Sequence, residues 1–558
     1  MLISNEQLKS LVLKNGLLDE KGFSKIEEDA KNGEYTISQA LVEKDVISDE
    51  NLGILIADFL KFPFIVLAKT TIAPEIFNVI PEKMARKKLV IPFAKDASGL
   101  RLAMADPLDK ELMQMISRKI NMPITSYFAT EQDISNSLQI YRKDLQKTLD
   151  QLIKKGTGAA SVSDVPMSKI VDLLINYAYQ DKASDIHIEP EEKDSLVRFR
   201  TDGILHDVLF LPKNLHDQII TRIKILSRLR TDEHLSPQDG KMRIKLEDEE
   251  IDVRVSILPV TEGEKAVLRL LSAKFRKFSL VDLGMNEKDL KKVTTAYGKS
   301  YGMILSTGPT GSGKTTSIYA ILKILNTRDK NITTIEDPAE YRIKGVNQIN
   351  VNSKTNLTFA NGLRSILRQD PNIIFVGEIR DSETAGIAVN ASLTGHLVLS
   401  TLHTNDAATA LPRLIDMNVE PFLVASTVNV IIAQRLVRKI CDICKGTRVI
   451  TKDELLKNLP EEIIGKFIGQ KQSMIIYQGA GCKICHATGY AGRIGVFEVL
   501  EVTKAIRDLI TKRQDSDVIT QKAIAEGMTT MLDDGLDKVI KGMTTMEEVL
   551  RVTKIQNN

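Results

Sequence analysis

One run of the chain constrains its fold more than any other: Gly308, Pro309, Thr310, Gly311, Ser312, Gly313, Lys314 and Thr315. It fits the pattern G-x-x-x-x-G-K-[ST], and its flanks are those the pattern requires. The apolar segment Met303–Thr307 leads in as a buried strand, and from Thr316 to Leu325 apolar residues recur at helical spacing. A glycine-rich turn between strand and helix lets backbone N–H groups face one anion, and the helix N-terminus adds its partial positive charge. The run therefore predicts an α/β domain that binds a nucleoside triphosphate. Lys314 is expected to reach the β- and γ-phosphates, the Thr315 hydroxyl to ligate Mg²⁺, and Thr316 to complete the loop.

The chain is 558 residues long, more than one ordinary core accommodates, so three or four domains are expected. Its 76 basic and 73 acidic side chains leave a formal charge of only +3. A protein built to neutralise nucleic-acid phosphates would be far more basic, so no nucleic-acid partner is expected. No run approaches the ~18 apolar residues of a membrane span, and the first residues lack a basic segment followed by an apolar block. A cytoplasmic protein with no transmembrane segment is expected, able to dock on a membrane protein.

Residues 1–60 carry an internal repeat at a period of 29: Val12, Leu13, Leu17, Leu18 and Phe23 recur as Leu41, Val42, Val46, Ile47 and Leu52. Stacked helix-turn-helix copies would bury both apolar faces. Strand-like and helical runs then alternate to about Tyr141, so residues 1–141 read as a helical repeat plus a small α/β docking domain. Small residues at 156–163 mark a linker, placed at 142–165. Residues 166–272 show period-2 strands. A charged connection at 274–277 leads to a nucleotide core at 285–435, a cysteine module at 436–500 and a helical tail at 501–558.

A phosphate loop needs acids for Mg²⁺ and for the attacking water. Apolar strands run into Glu336, Asp337 and Glu340 and end in Gly377–Glu378, and His396–His403 reads as a strand with a histidine at each end. Ligands gather at the C-terminal edge of parallel sheets, which favours these positions. The phosphate loop, Thr334–Glu340, Leu367–Pro371 with Val376–Asp381, and Thr394–Asn405 together resemble the Walker A, aspartate-box, Walker B and histidine-box segments of the motor ATPases of type II secretion and type IV pili. The likeness runs from about Pro166 to Thr553 and more loosely over the N-terminal portion.

That resemblance implies a RecA-like nucleotide domain preceded by a PAS-like α/β domain. It also implies Mg-ATP hydrolysis, with Glu378 holding Mg²⁺ through water and polarising the attacking water. Glu336, Asp337 and Glu340 would form the aspartate box, and His396 with His403 the histidine box. Arg200, Arg254 and Arg269 would be supplied to the triphosphate by the domain before the phosphate loop. Relatives often carry aspartate at Asn372, a position expected at a strand start away from the phosphates.

The four cysteines form two C-x-x-C knuckles, Cys441 with Cys444 and Cys482 with Cys485. Such pairs suit tetrahedral Zn²⁺. Cys482–His486 also fits a c-type haem pattern, and a redox dithiol is a third reading. The resemblance favours zinc and, through it, pilus extension or secretion over retraction. Met528, Met531, Met543 and Met546 read as helix packing.

Some relatives bind cyclic di-GMP through a tandem repeat beginning Arg-Leu-Gly. Gln7, Lys9, Thr36, Ser38 and Asp45 stand here where arginine and glycine are needed, so cyclic di-GMP is not expected. The function implied is a homo-oligomeric, hexameric motor working with an inner-membrane platform protein to assemble a type IV pilus. The alternatives are a type II secretion motor, a nucleic-acid translocase and a purely regulatory nucleotide-binding protein.

Overall fold

A computed structural model of the chain describes residues 3–553 apart from 34–35, 44–45, 48, 68–69, 71, 78, 97–98, 139–144, 147, 151–166, 247–248, 272–278, 457–460, 470 and 483–484. The small-residue stretch 156–163, the connection 274–277 and Asp45 lie outside the described residues. Two compact units result, one of residues 65–277 and one of residues 1–64 with 278–558.

In the unit 65–277, β1 (Val90–Asp96), β2 (Gly99–Met104) and β3 (Ile124–Phe128) form a small mixed sheet. The helices that flank these strands bury Leu112, Ile116 and Ile134 with the sheet residues Ile91, Leu100 and Leu102. A second, wholly antiparallel sheet follows, from β4 (Asp185–Pro190), β5 (Asp194–Thr201), β6 (Ile204–Pro212), β7 (Gln238–Lys245), β8 (Glu250–Val260) and β9 (Gly263–Leu271). Its spatial order is β6-β5-β4-β9-β8-β7. Alternate residues such as Val253, Val255 and Ile257 turn inward against the helices Met167–Gln180 and Lys213–Leu226, as a half-buried sheet requires. Leu145 and Leu149, expected in the linker, are buried in this same core. Two leucines four apart line one helical face, so chain that reads as polar still packs.

In the other unit, the N-terminal repeat is a series of short helices: Asn5–Lys14, Glu20–Gly33, Ile37–Glu43 and Asp49–Leu60. The 29-residue period is visible in the backbone, where Leu17 N–H bonds Val12 O and Val46 N–H bonds Leu41 O. Gln7 and Thr36 serve local capping. Gln7 exchanges hydrogen bonds with Ser4, and Thr36 exchanges them with Gln39.

The main sheet of this unit uses β10 (Gly302–Thr307), β11 (Ile332–Glu336), β12 (Asn347–Asn350), β13 (Ile373–Val376), β14 (Leu397–Leu402) and β15 (Val428–Ile440). A separate ladder pairs β16 (Lys445–Thr451) with β17 (Ser473–Gly479), and β18 (Tyr490–Glu501) returns to the main sheet. The main sheet's order is β12-β11-β13-β14-β10-β15-β18, parallel throughout except for antiparallel β18. Strands β10, β11, β13 and β14 are buried along their whole length, as parallel strands covered on both faces must be. Met303 and Leu305 enter one core while Ile304 enters the other with Ile318 and Leu322 of the helix Lys314–Leu325.

The expected boundaries at 435/436 and 500/501 fall inside β15 and β18. The cysteine segment is an insertion between two long strands that pair from Val430–Glu501 to Ile440–Tyr490. The C-terminal helices are part of the packing: Met528 and Met531 join one core and Met546 another, while Met543 is exposed.

Candidate active site

Strands β10, β11, β13 and β14 end in register, with Thr307 opposite Leu402 and Val376 opposite Ser400. This aligned edge gathers the phosphate loop, Glu336 and Glu378. The loop's shape depends on glycine: φ is +146° at Gly308 and +89° at Gly313. A Cβ on Gly308 would lie 2.5 Å from Ser312 Oγ and 2.6 Å from Gln434 O. Lys314 is buried, and its Nζ donates to Gly308 O at 2.8 Å and Pro309 O at 3.0 Å. Burial holds its ammonium below the ordinary lysine range; the Glu378 charge opposes that and Arg435 adds to it.

Glu378 follows β13 and is half-buried at this edge. One oxygen lies 2.5 Å from Arg380 Nη2 and the other 3.4 Å from His403 Nε2. His403 is held near by the β14 end, where Ser400 and Thr401 donate their hydroxyls to Val376 O and Gly377 O. The structure thus brings together Lys314, Glu378 and His403. Thr315 and Thr316 open the helix behind the loop, half-buried.

Glu336 is the last residue of β11. It is 3% exposed, and its carboxylate accepts from the Tyr319 hydroxyl, from Thr334 Oγ1 at 2.7 Å and from Gln348 Nε2 at 3.2 Å. Burial, then the charge of Glu336, drives the Tyr319 hydroxyl far above its usual range. With its oxygens so engaged, Glu336 fixes the helix Lys314–Leu325 to β11. Asp337 is exposed and Glu340 half-buried on the segment after it.

His396 stands at the other end of its strand, as the sequence places it. It precedes β14, at the opposite end of the strand from His403, and its Nδ1 pairs with Ala391 O at 3.0 Å. At about 3.3 Å per residue the strand separates the two histidines by roughly 20 Å. Within one chain His396 does not join the phosphate-loop edge. Asn372 also lies at that far end, where its Oδ1 accepts from Asn331 N–H at 2.7 Å.

In the unit 65–277, Arg200, Arg269 and Arg254 stand in one row across β5, β9 and β8. Asp185 of β4 pairs in register with Arg200 and Arg269, and Arg269 with Arg254. The buried Asp185 carboxylate lies 2.9 Å from Arg269 Nε and 3.8 Å from Arg200 Nε. Arg198 pairs instead with Glu189.

The four cysteine sulfurs lie within 4.8 Å of one another, with Cys441–Cys482 and Cys444–Cys485 at 3.8 Å and Cys482–Cys485 at 3.6 Å. A tetrahedron with Zn–S bonds of about 2.3 Å has edges of about 3.8 Å, so the donor set fits zinc. Burial pushes the Cys441 thiol up and the Cys444 thiol to about 11. For Cys485 burial also acts upward, but N–H groups of Cys482 and Gly489 outweigh it and leave the thiol below its usual value. A sulfur that already accepts two N–H bonds is prepared to be a thiolate ligand.

Sequence reasoning missed Tyr319, Gln348, Arg380, Gln434 and Arg435. Gln434 supports the loop from β15: its Nε2 donates to Ser312 O and its Oε1 accepts from Ser317 Oγ, both at 2.7 Å. The one available signal was an amide and a guanidinium interrupting the apolar run of β15.

Comparison with known proteins agrees with this geometry. A family model described as "Type II/IV secretion system protein" matches residues 160–551, and one described as "MshEN domain" matches residues 60–147. The chain is 37% identical over 562 residues to a Type IV pilus assembly ATPase PilB of Myxococcus xanthus, covering 98% of both chains. It is 41% identical over 461 residues to a Type II secretion system protein E of Pseudomonas aeruginosa, covering 83% of this chain and 89% of that one. The crystal structure of the Legionella pneumophila ATPase DotB shares the fold, with a TM-score of 0.51 and 21% identity over 69% of this chain and 95% of that one. With phosphate loop, aligned acid and domain match in agreement, the chain belongs to the Type II/IV secretion system protein family and is one of its ATP hydrolases.

Proposed function

We propose that this pilus or secretion motor ATPase drives assembly of a type IV pilus. The observation that carries the choice is the match to a pilus assembly ATPase over 98% of both chains, whereas the match to a type II secretion protein leaves 17% of this chain uncovered. Mg-ATP binds at residues 308–316, with Mg²⁺ held by Thr315 and, through water, by Glu378. Glu378 polarises the attacking water and His403 orients Glu378. Asp337 and Glu340 approach from the segment after β11. Arg200, Arg254 and Arg269 stabilise charge on the γ-phosphoryl group, a role supported by their position in one row of the sheet.

The working form is a hexamer on the cytoplasmic face of the inner membrane, docked on a platform protein. Among the described residues no helix is long and apolar enough to cross a membrane, so attachment runs through that partner. Zinc holds the insertion between β15 and β18 and takes no part in hydrolysis. Deleting the gene in its own host is the test. Loss of surface pili with normal protein secretion supports the proposal; intact pili with periplasmic accumulation of secreted proteins transfers the motor to type II secretion.

A further inference from the structure

Strand β15 continues past the end of β10: Thr307 pairs with Ala433, so the next residues, Gln434 and Arg435, run alongside the phosphate loop. The Arg435 guanidinium reaches the loop's first glycine, and a Cβ built on Gly308 would lie 3.2 Å from its Nη1. Its oxygen partners are all amides. Nη1 donates to Gln434 O at 3.2 Å, and Nη2 to Asn405 O at 2.7 Å and Asn405 Oδ1 at 3.4 Å.

The acids that act on this guanidinium give little compensation. The Asp406 carboxylate is engaged by Thr409, whose N–H and hydroxyl donate to it at 2.8 and 2.6 Å. Glu498 is buried on β18, accepts from Ala407 N–H, and is pushed by that burial above the usual carboxylate range. Lys314 also reaches Gly308, and it too is held by carbonyl oxygens. Burial moves both cations toward their neutral forms, and Arg435 adds to the effect on Lys314.

Two half-desolvated cations flanking one glycine-rich turn, each held by carbonyls, are unfavourable alone and favourable around a polyanion. A guanidinium also presents a planar fork that fits phosphate oxygens in pairs. We propose that Arg435 is a further nucleotide-binding residue, exchanging the Asn405 carbonyl for phosphate oxygens when a nucleoside di- or triphosphate fills loop 308–315. The inference rests on reading that loop as the nucleotide site.

The test is titration of the full-length protein with Mg-ADP, which binds without turnover, using Arg435→Gln, Arg435→Lys and Lys314→Ala. Glutamine removes the charge and is two bonds too short to keep the Asn405 contact, so circular dichroism and thermal unfolding are used to confirm that Arg435→Gln retains its fold, while the longer lysine retains a donor near Asn405 O. Loss of a charge-assisted hydrogen bond predicts a Kd raised about 10- to 100-fold in Arg435→Gln. Arg435→Lys keeps the charge and should fall between it and the parent. Parental affinity in Arg435→Gln, or equal weakening by lysine and glutamine, overturns the proposal. Lys314→Ala separates the two readings: weak Mg-ADP binding there with a parental Arg435→Gln removes only Arg435, whereas parental binding in Lys314→Ala removes the nucleotide site itself.

Discussion

Lys314 and Glu378 both serve the phosphate edge, yet their loss should be felt differently. Lys314→Ala removes a buried charge proposed to meet the phosphates, so ATP affinity should fall about 10- to 100-fold, the worth of a charged hydrogen bond, and turnover with it. Glu378→Gln keeps shape and hydrogen bonding while removing the charge proposed to polarise water. ATP should bind with parental affinity and turn over about 100- to 10,000-fold more slowly, the usual worth of a positioned base. Parental turnover in Glu378→Gln would remove it as the catalytic acid. Residue types alone did not separate such roles. Glu336 and Glu378 both end apolar strands, but only the fold shows the first enclosed by Tyr319, Thr334 and Gln348 and the second facing His403 and Arg380. Thr334 and Arg380 lie only two residues from their glutamates, but Tyr319, Gln348 and His403 are 12 to 25 residues away, and no local pattern could reveal those three.

At the scale of elements, short-range pattern was legible and long-range pairing was not. Strands β10, β11, β13 and β14 stand out as apolar runs because both faces are buried. The β15–β18 ladder encloses a 49-residue insertion from 441 to 489, and nothing within β15 announces so distant a partner. The same ladder explains how the last helix, Met546–Val552, is anchored. Burial of Glu548 alone would raise its carboxyl, but Arg551 and Arg438 outweigh it and hold the pKa at about 2. Its folded value lies below the unfolded value of about 4.5, so its stabilisation is complete above that pH and is lost as pH falls towards 2. Glu548→Gln should remove about 3 kcal/mol of local stability at pH 7, at roughly 1.4 kcal/mol per pKa unit. Hydrogen exchange is the measurement. Amides of residues 546–552 should exchange faster in the variant at pH 7, and that difference should shrink on acidification.

The insertion carries its own test. A closed shell of four sulfurs leaves no open position for water or substrate, so zinc there is structural. Freshly purified protein should contain about one zinc per chain. Cys441→Ser or Cys485→Ser should lose it and loosen residues 441–489, with Mg-ADP affinity unchanged. Absence of zinc from unchelated protein, or haem iron in its place, would sink the assignment.

For the whole molecule, the family match gives a pilus or secretion motor ATPase. The chain places its arginine row and its phosphate loop in separate compact units, residues 65–277 and residues 1–64 with 278–558. Loss of one row arginine should therefore leave nucleotide affinity near parental while lowering turnover, by about 1,000-fold if it acts as an arginine finger. Arg269 is the informative choice, since it is ion-paired to the buried Asp185 and its removal also tests whether that acid tolerates the change. Arg269→Lys keeps a charge for Asp185 and so separates folding from catalysis. A hexamer that completes each site from two chains makes a sharper prediction. Arg269→Ala and Glu378→Gln proteins, each nearly inactive, should regain turnover when mixed and allowed to exchange subunits, because some neighbours then supply an intact arginine to an intact glutamate. Recovery that rises with subunit exchange, followed by phosphate release, would establish the shared site. No recovery from a mixture shown by mass analysis to contain both chains would confine the arginines to their own subunit.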